Sequence, residues 1–208
     1  MSTSDRSALW NVRTPVSVHP EIPPNPLPPP IPKPPPKPPP PVSLNITIPY
    51  QQQPYWCWVA VGSGIASWYD NTVYQQCYVV TLVFTAIHPG FDTNCCSPAS
   101  NASGPSCNLE SGADQALNYP AHHFNYDIDS PLGWSDILGQ INAGRPFAAG
   151  INWSGGGSHF VAITGYEALN EYVFVQDPAN GPGWYSLSSF SSSYEGTGTW
   201  GWTTLSQP

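Results

Sequence analysis

Residues 1–43 carry 16 of the chain's 27 prolines, whereas residues 44–208 carry eight of its nine Trp and all five Cys. A run such as Pro28-Pro29-Pro30-Ile31-Pro32-Lys33-Pro34 has no periodic apolar face to bury. It predicts a disordered, extended, polyproline-like spacer over residues 1–43. The remaining 165 residues are enough for one domain with a sizeable core, expected over 44–208.

Charge divides at the same boundary. Residues 1–43 have a net charge of +2, and residues 44–208 a net charge of −10, together the −8 of the chain. The second segment has one basic residue, Arg145, and no Lys. It cannot neutralise a run of phosphates, which argues against nucleic acid as a partner. No stretch reaches the about 20 apolar residues that span a bilayer. Met1-Ser2-Thr3-Ser4-Asp5 lacks a basic region followed by an apolar one, which predicts no classical signal peptide.

The cysteines argue for an oxidising compartment. Cys77, Cys95, Cys96 and Cys107 cluster around a polar segment, and Cys57 stands apart. Four plus one reads as two disulfides and a free thiol. A bond between the neighbours Cys95 and Cys96 would be strained, so Cys77 is expected to pair with one of them and Cys107 with the other. The alternative is a set of reduced thiols in a cytoplasmic protein. His122-His123 beside this cluster invites a zinc reading, but the Cys spacing fits a structural zinc poorly, and no metal or cofactor is expected.

Residues 44–50 alternate apolar and polar and predict a short strand. Pro54 bars a helix until Trp56, and 57–69 then predicts a buried helix with Cys57 in its first turn. Residues 76–87 are ambiguous and favour helix. Shorter helices are expected near 112–118 and over 134–143. Beyond these the period becomes strand-like at 147–153, 159–167, 171–176, 184–187 and 199–205. Helices first and an antiparallel sheet second predict an α+β domain of two lobes, helical and sheet, with a cleft between them.

Chemistry concentrates at three positions. A thiol attacks as thiolate, a form favoured at a helix N-terminus and beside an imidazolium. Cys57 has the first setting if its helix forms, and His159 is placed to supply the second. Asp177 ends the strand after the one that His159 opens. A short turn between them brings both residues to one end of the sheet, where Asp177 orients the ring, with Asn180 the alternative. Trp56, Trp58 and Trp153 are either core residues or groove walls.

Gln51 with Trp56-Cys57-Trp58, then Gly144-Arg145-Pro146, Gly157-Ser158-His159 and Asp177-Pro178 resemble the papain-like cysteine peptidases. The similarity is strongest to their compact bacterial members, the secreted effector proteases and bacteriocin-leader-processing peptidases. It spans most of residues 48–204. It implies a Cys57-His159-Asp177 triad, with Gln51 and the Cys57 backbone N–H as oxyanion donors. It implies a monomeric, secreted or effector-type hydrolase acting on polypeptides, without a cofactor. The sequence departs from papain in its length, in Asp rather than Asn as orienter, and in the two Trp around the thiol.

Two other functions compete with this one. The repeated Pro-x-x-Pro pattern with Lys33 and Lys37 suits an interaction module whose tail docks in an aromatic groove. The same three residues also serve non-peptidase acyl transfer, as in amidases and transglutaminases. An acidic domain surface favours basic substrates over acidic ones.

Overall fold

The computed structural model describes residues 38–97, 106–119 and 121–208. Residues 1–37 of the expected spacer lie outside these. The chain runs β1 (Val42–Ser43), α1 (Cys57–Tyr69), α2 (Gln76–Ile87), α3 (Ala113–Asn118), β2 (Phe124–Ile128) and α4 (Trp134–Asn142). It continues through β3 (Phe147–Trp153), β4 (Ser158–Glu167), β5 (Tyr172–Asp177), β6 (Gly181–Ser186), α5 (Leu187–Ser193) and β7 (Gly198–Ser206). This is an α+β domain.

The strands form one antiparallel sheet in the order β2-β7-β3-β4-β5-β6, with β1 added beside β4. Val42 and Ser43 pair with Tyr166 and Gly165, so the sheet begins two residues before the domain start expected at residue 44. The central strands are buried on both faces, which is why β3 and β4 read as near-continuous apolar runs. Strand alternation sorts their side chains into two cores. Ala148, Phe160 and Ala162 face a cluster with Trp58, Val61 and Phe84 of α1 and α2. Phe147, Val161, Ile163 and Val175 face a second cluster with Ile137 of α4 and Phe190 of α5. Burying each large apolar side chain stabilises the fold by about 1.5–3 kcal/mol.

Two local features fix where the reactive residues fall. α1 crosses α3 so closely that a Cβ on Gly62 would lie 2.4 Å from the Ala116 Cβ. The β3–β4 hairpin turns through Gly156 and Gly157 at φ of 93° and 82°, a region that glycine enters without steric cost. His159 follows after one intervening residue.

Three sequence expectations are corrected. Residues 44–50 are extended but form no strand. A side chain replaces the missing neighbour: Gln176 accepts from the Ile48 N–H at 2.8 Å and donates to the Ile46 carbonyl. The strand expected at 184–187 starts earlier, at Gly181, and Leu187 instead opens α5, whose cap is the Ser186 hydroxyl accepting from the Ser189 N–H. β2 was not expected at all; its Phe-Asn-Tyr-Asp-Ile sequence is mostly exposed and has no buried alternation to reveal it.

Candidate active site

Cys57 is the first residue of α1 and the one free cysteine among the described residues. The N–H groups of a helix's first turn have no intrahelical carbonyl to bond. The flanks of Cys57 are anchored: Trp56 and Trp58 are buried at 0% and 1% exposure. Their indole N–H groups donate to the Cys107 carbonyl at 2.8 Å and the Leu109 carbonyl at 3.1 Å. The Tyr55 N–H donates to Asn108 Oδ1 at 3.1 Å. Both indoles are therefore core residues, and the 107–109 segment is stitched to each side of the thiol. That segment is itself tied by the Cys95–Cys107 disulfide, with Cys77–Cys96 beside it.

The approach to α1 is held by a second glutamine. Gln76, 3% exposed, accepts from the Gln52 N–H at 3.0 Å and donates to the Tyr50 carbonyl at 2.8 Å. Between these two residues stands Gln51. Its side-chain amide donates to the carbonyls of Gln53 at 3.0 Å and Pro54 at 2.9 Å, and its buried Oε1 has no partner. In this conformation both amide hydrogens are engaged within the loop, and Gln51 lines the groove that also contains His159.

His159 is the second residue of β4 and Asp177 closes β5, the antiparallel neighbour. Nε2 of His159 lies 2.7 Å from Asp177 Oδ1. This leaves Nδ1 for the thiol, and Cys57 and His159 border the same narrow cavity of about 50 Å³. Burial of the ring alone would lower its pKa. The bond to Asp177, the Cys57 thiol and the charges of both outweigh that and raise it to about 9. Burial of Asp177 would raise the pKa of its carboxyl, but the His159 ring, the Ala179 N–H and the Tyr194 hydroxyl hold it well below the usual carboxylate range.

Asp177 is saturated with donors. Oδ1 accepts from the Ala179 N–H at 2.7 Å as well as from His159, and Oδ2 accepts from Asn180 Nδ2 at 2.9 Å and the Tyr194 hydroxyl at 2.8 Å. Asn180, the alternative orienter, thus supports the carboxylate. Trp153 is half-buried between the His159 ring and the Tyr194 ring, with centroids 6.1 and 6.2 Å away and nearly parallel planes. Neither Tyr194 nor Gln76 carries a sequence signal: each reaches its partner across the fold rather than along the chain.

His123 is committed elsewhere, with Nδ1 2.9 Å from the Gln207 carbonyl and an ion pair to Asp70. Among the described residues no group of three His, Cys, Asp or Glu is placed to hold a metal. A larger apolar recess of about 280 Å³ lies between Ile46, Ile48, Tyr50 and Phe174. The thiol and the charged imidazole lie at the smaller cavity, and chemistry rather than volume marks the site.

Residues 45–201 match a peptidase family, and the matched span includes Gln51, Cys57, His159 and Asp177. The chain belongs to the Peptidase_C39 like family, in accord with its resemblance to the papain-like cysteine peptidases. No curated protein matches the chain. Among the described residues no helix is long and apolar enough to cross a membrane.

Proposed function

We propose that this protein is a cysteine peptidase of papain-like, two-lobed design that hydrolyses peptide bonds through Cys57, His159 and Asp177. The observation that carries the reading is the position of the His159 ring, between the free Cys57 thiol and a buried carboxylate 2.7 Å away.

In this mechanism Cys57 is a thiolate paired with protonated His159. The sulfur attacks the amide carbonyl and an S–C bond forms. The C–N bond breaks as His159 gives its proton to the leaving amine. Water then attacks the thioester, His159 takes the proton, and the S–C bond breaks to release the carboxylate. Asp177 holds the ring's orientation and balances its charge. The oxyanion is met by the Cys57 N–H and by Gln51, which must release one of its two carbonyl partners to donate. The two disulfides favour a secreted setting. The Pro-rich residues before β1 act as a spacer for a monomeric domain.

The full chain should cleave members of a fluorogenic peptide library, and Cys57→Ala should abolish cleavage while keeping the wild-type circular dichroism spectrum and melting temperature. Turnover retained in a folded Cys57→Ala protein would refute the reading.

A further inference from the structure

Beside the narrow cavity at Cys57 lies a wider recess of about 480 Å³, bounded by Tyr55, His88, Asn108, Leu109 and Glu110. Tyr55 and Glu110 border both spaces. Glu110 also borders the groove on the other side, with Trp153 and His159. One carboxylate therefore lines all three spaces.

Among the described residues that carboxylate has no counter-ion. The ion pairs among the described residues are His123–Asp70 and His159–Asp177, and Glu110 is in neither. Arg145, the single basic residue of 44–208 by Lys or Arg count, donates to Gln140 Oε1. His88 is the other titratable group on the recess besides Tyr55. Nor does Glu110 ride on a loose loop: the Asn108 and Leu109 bonds to Tyr55 and Trp58 pin the segment just before it.

The recess walls suit a long cationic side chain. Tyr55 is 51% exposed and Leu109 38%, so a methylene stem has apolar surface to lie on. The face of a Tyr ring also attracts a cation. We infer that this recess is a specificity subsite for a Lys or Arg side chain of the substrate, with Glu110 as its counter-ion. The inference rests on the peptidase reading, since it places the subsite beside the bond that Cys57 attacks. The −10 charge of residues 44–208 adds a long-range attraction for the same substrates.

The test uses full-length Cys57→Ala, which binds without cleaving, and a peptide series in which one position at a time is Lys, norleucine or Glu. At the position that reaches the recess, the Lys peptide should bind about fivefold tighter than norleucine, and the Glu peptide weaker than either. High salt should narrow the gap. Adding Glu110→Gln should bring the Lys-to-norleucine ratio to near one, and Glu110→Lys should reverse the order in favour of the Glu peptide. Equal binding of all three peptides, or a gap that survives Glu110→Gln, overturns the subsite. Hydrolysis by the wild type is read separately. Cleavage of all three peptides alike would keep the peptidase reading and remove the subsite. Glu110-dependent binding without any cleavage would do the reverse.

Discussion

Nε2 of His159 sits 2.7 Å from Oδ1 of Asp177, across the adjacent antiparallel strands β4 and β5, with both residues almost fully buried. The pair fixes which ring nitrogen faces Cys57. Asp177→Ala removes both the orientation and the charge that raises the ring's pKa. Turnover should fall by about 100- to 10,000-fold. Alkylation of Cys57 by iodoacetamide at about pH 5 should slow in the same variant. A triad-independent thiol would show neither change.

The same pair makes stability depend on pH in a defined direction. His159 has a higher pKa folded, about 9, than its ordinary 6.5. Its stabilisation is complete below 6.5 and is lost as pH rises through 9. Asp177 has a depressed pKa, so its stabilisation is present above the ordinary 3.8 and is lost as pH falls. Melting temperature should therefore decline from pH 6.5 to 9, and His159→Asn should flatten that decline. An unchanged slope in the variant would count against the ion pair.

Tyr194 donates its hydroxyl to Asp177 and stacks on the Trp153 that covers His159. Its own proton is held tightly, because burial and then the Asp177 charge push its pKa up. Tyr194→Phe keeps the ring and removes the bond. A hydrogen bond to a charged group contributes about 1.5–3 kcal/mol, which urea unfolding would detect. The effect on catalysis should appear in kcat more than in KM, since Tyr194 acts through Asp177 and does not line the cavities at Cys57.

The disulfides hold the segment that flanks Cys57. They span sequence separations of 19 and 12 residues, and a closed loop of this size contributes about 3 kcal/mol in the chain-entropy account. Cys95→Ser with Cys107→Ser should lower the unfolding midpoint and raise KM, because Glu110 and the Leu109 carbonyl lose their tether. Activity of the wild type should pass through a maximum as reductant is added. Low concentrations keep Cys57 reduced, and higher ones open the two bridges. Peptide mapping of alkylated cysteines along the same titration would assign each limb.

Much of this site is legible in the sequence because it is built from local rules. Cys57 opens a helix soon after Pro54, a residue through which no regular helix runs. His159 and Asp177 meet because adjacent antiparallel strands bring the start of one to the end of the next. What was illegible depends on side chains acting at a distance. Residues 44–50 look like a strand, yet Gln176, some 130 residues away, supplies the hydrogen bonds of Ile46 and Ile48. α5 is written in Ser-rich sequence with one buried anchor, Phe190, too weak a period to see. Gln76 lies in an apolar helix where its polarity looks like an exception, although it clamps the strap on both sides of Gln51.

Gln176 and Asp177 are consecutive in β5, so they project to opposite faces of the sheet. Gln176 grips the strap that leads to Cys57, and Asp177 grips the ring that serves it. A slip of one residue in the β5 register would swap the two and disable both grips at once. The dipeptide is thus a parity check on assembly: a misregistered chain cannot be half right, because the anchor of the strap and the anchor of the ring are lost together.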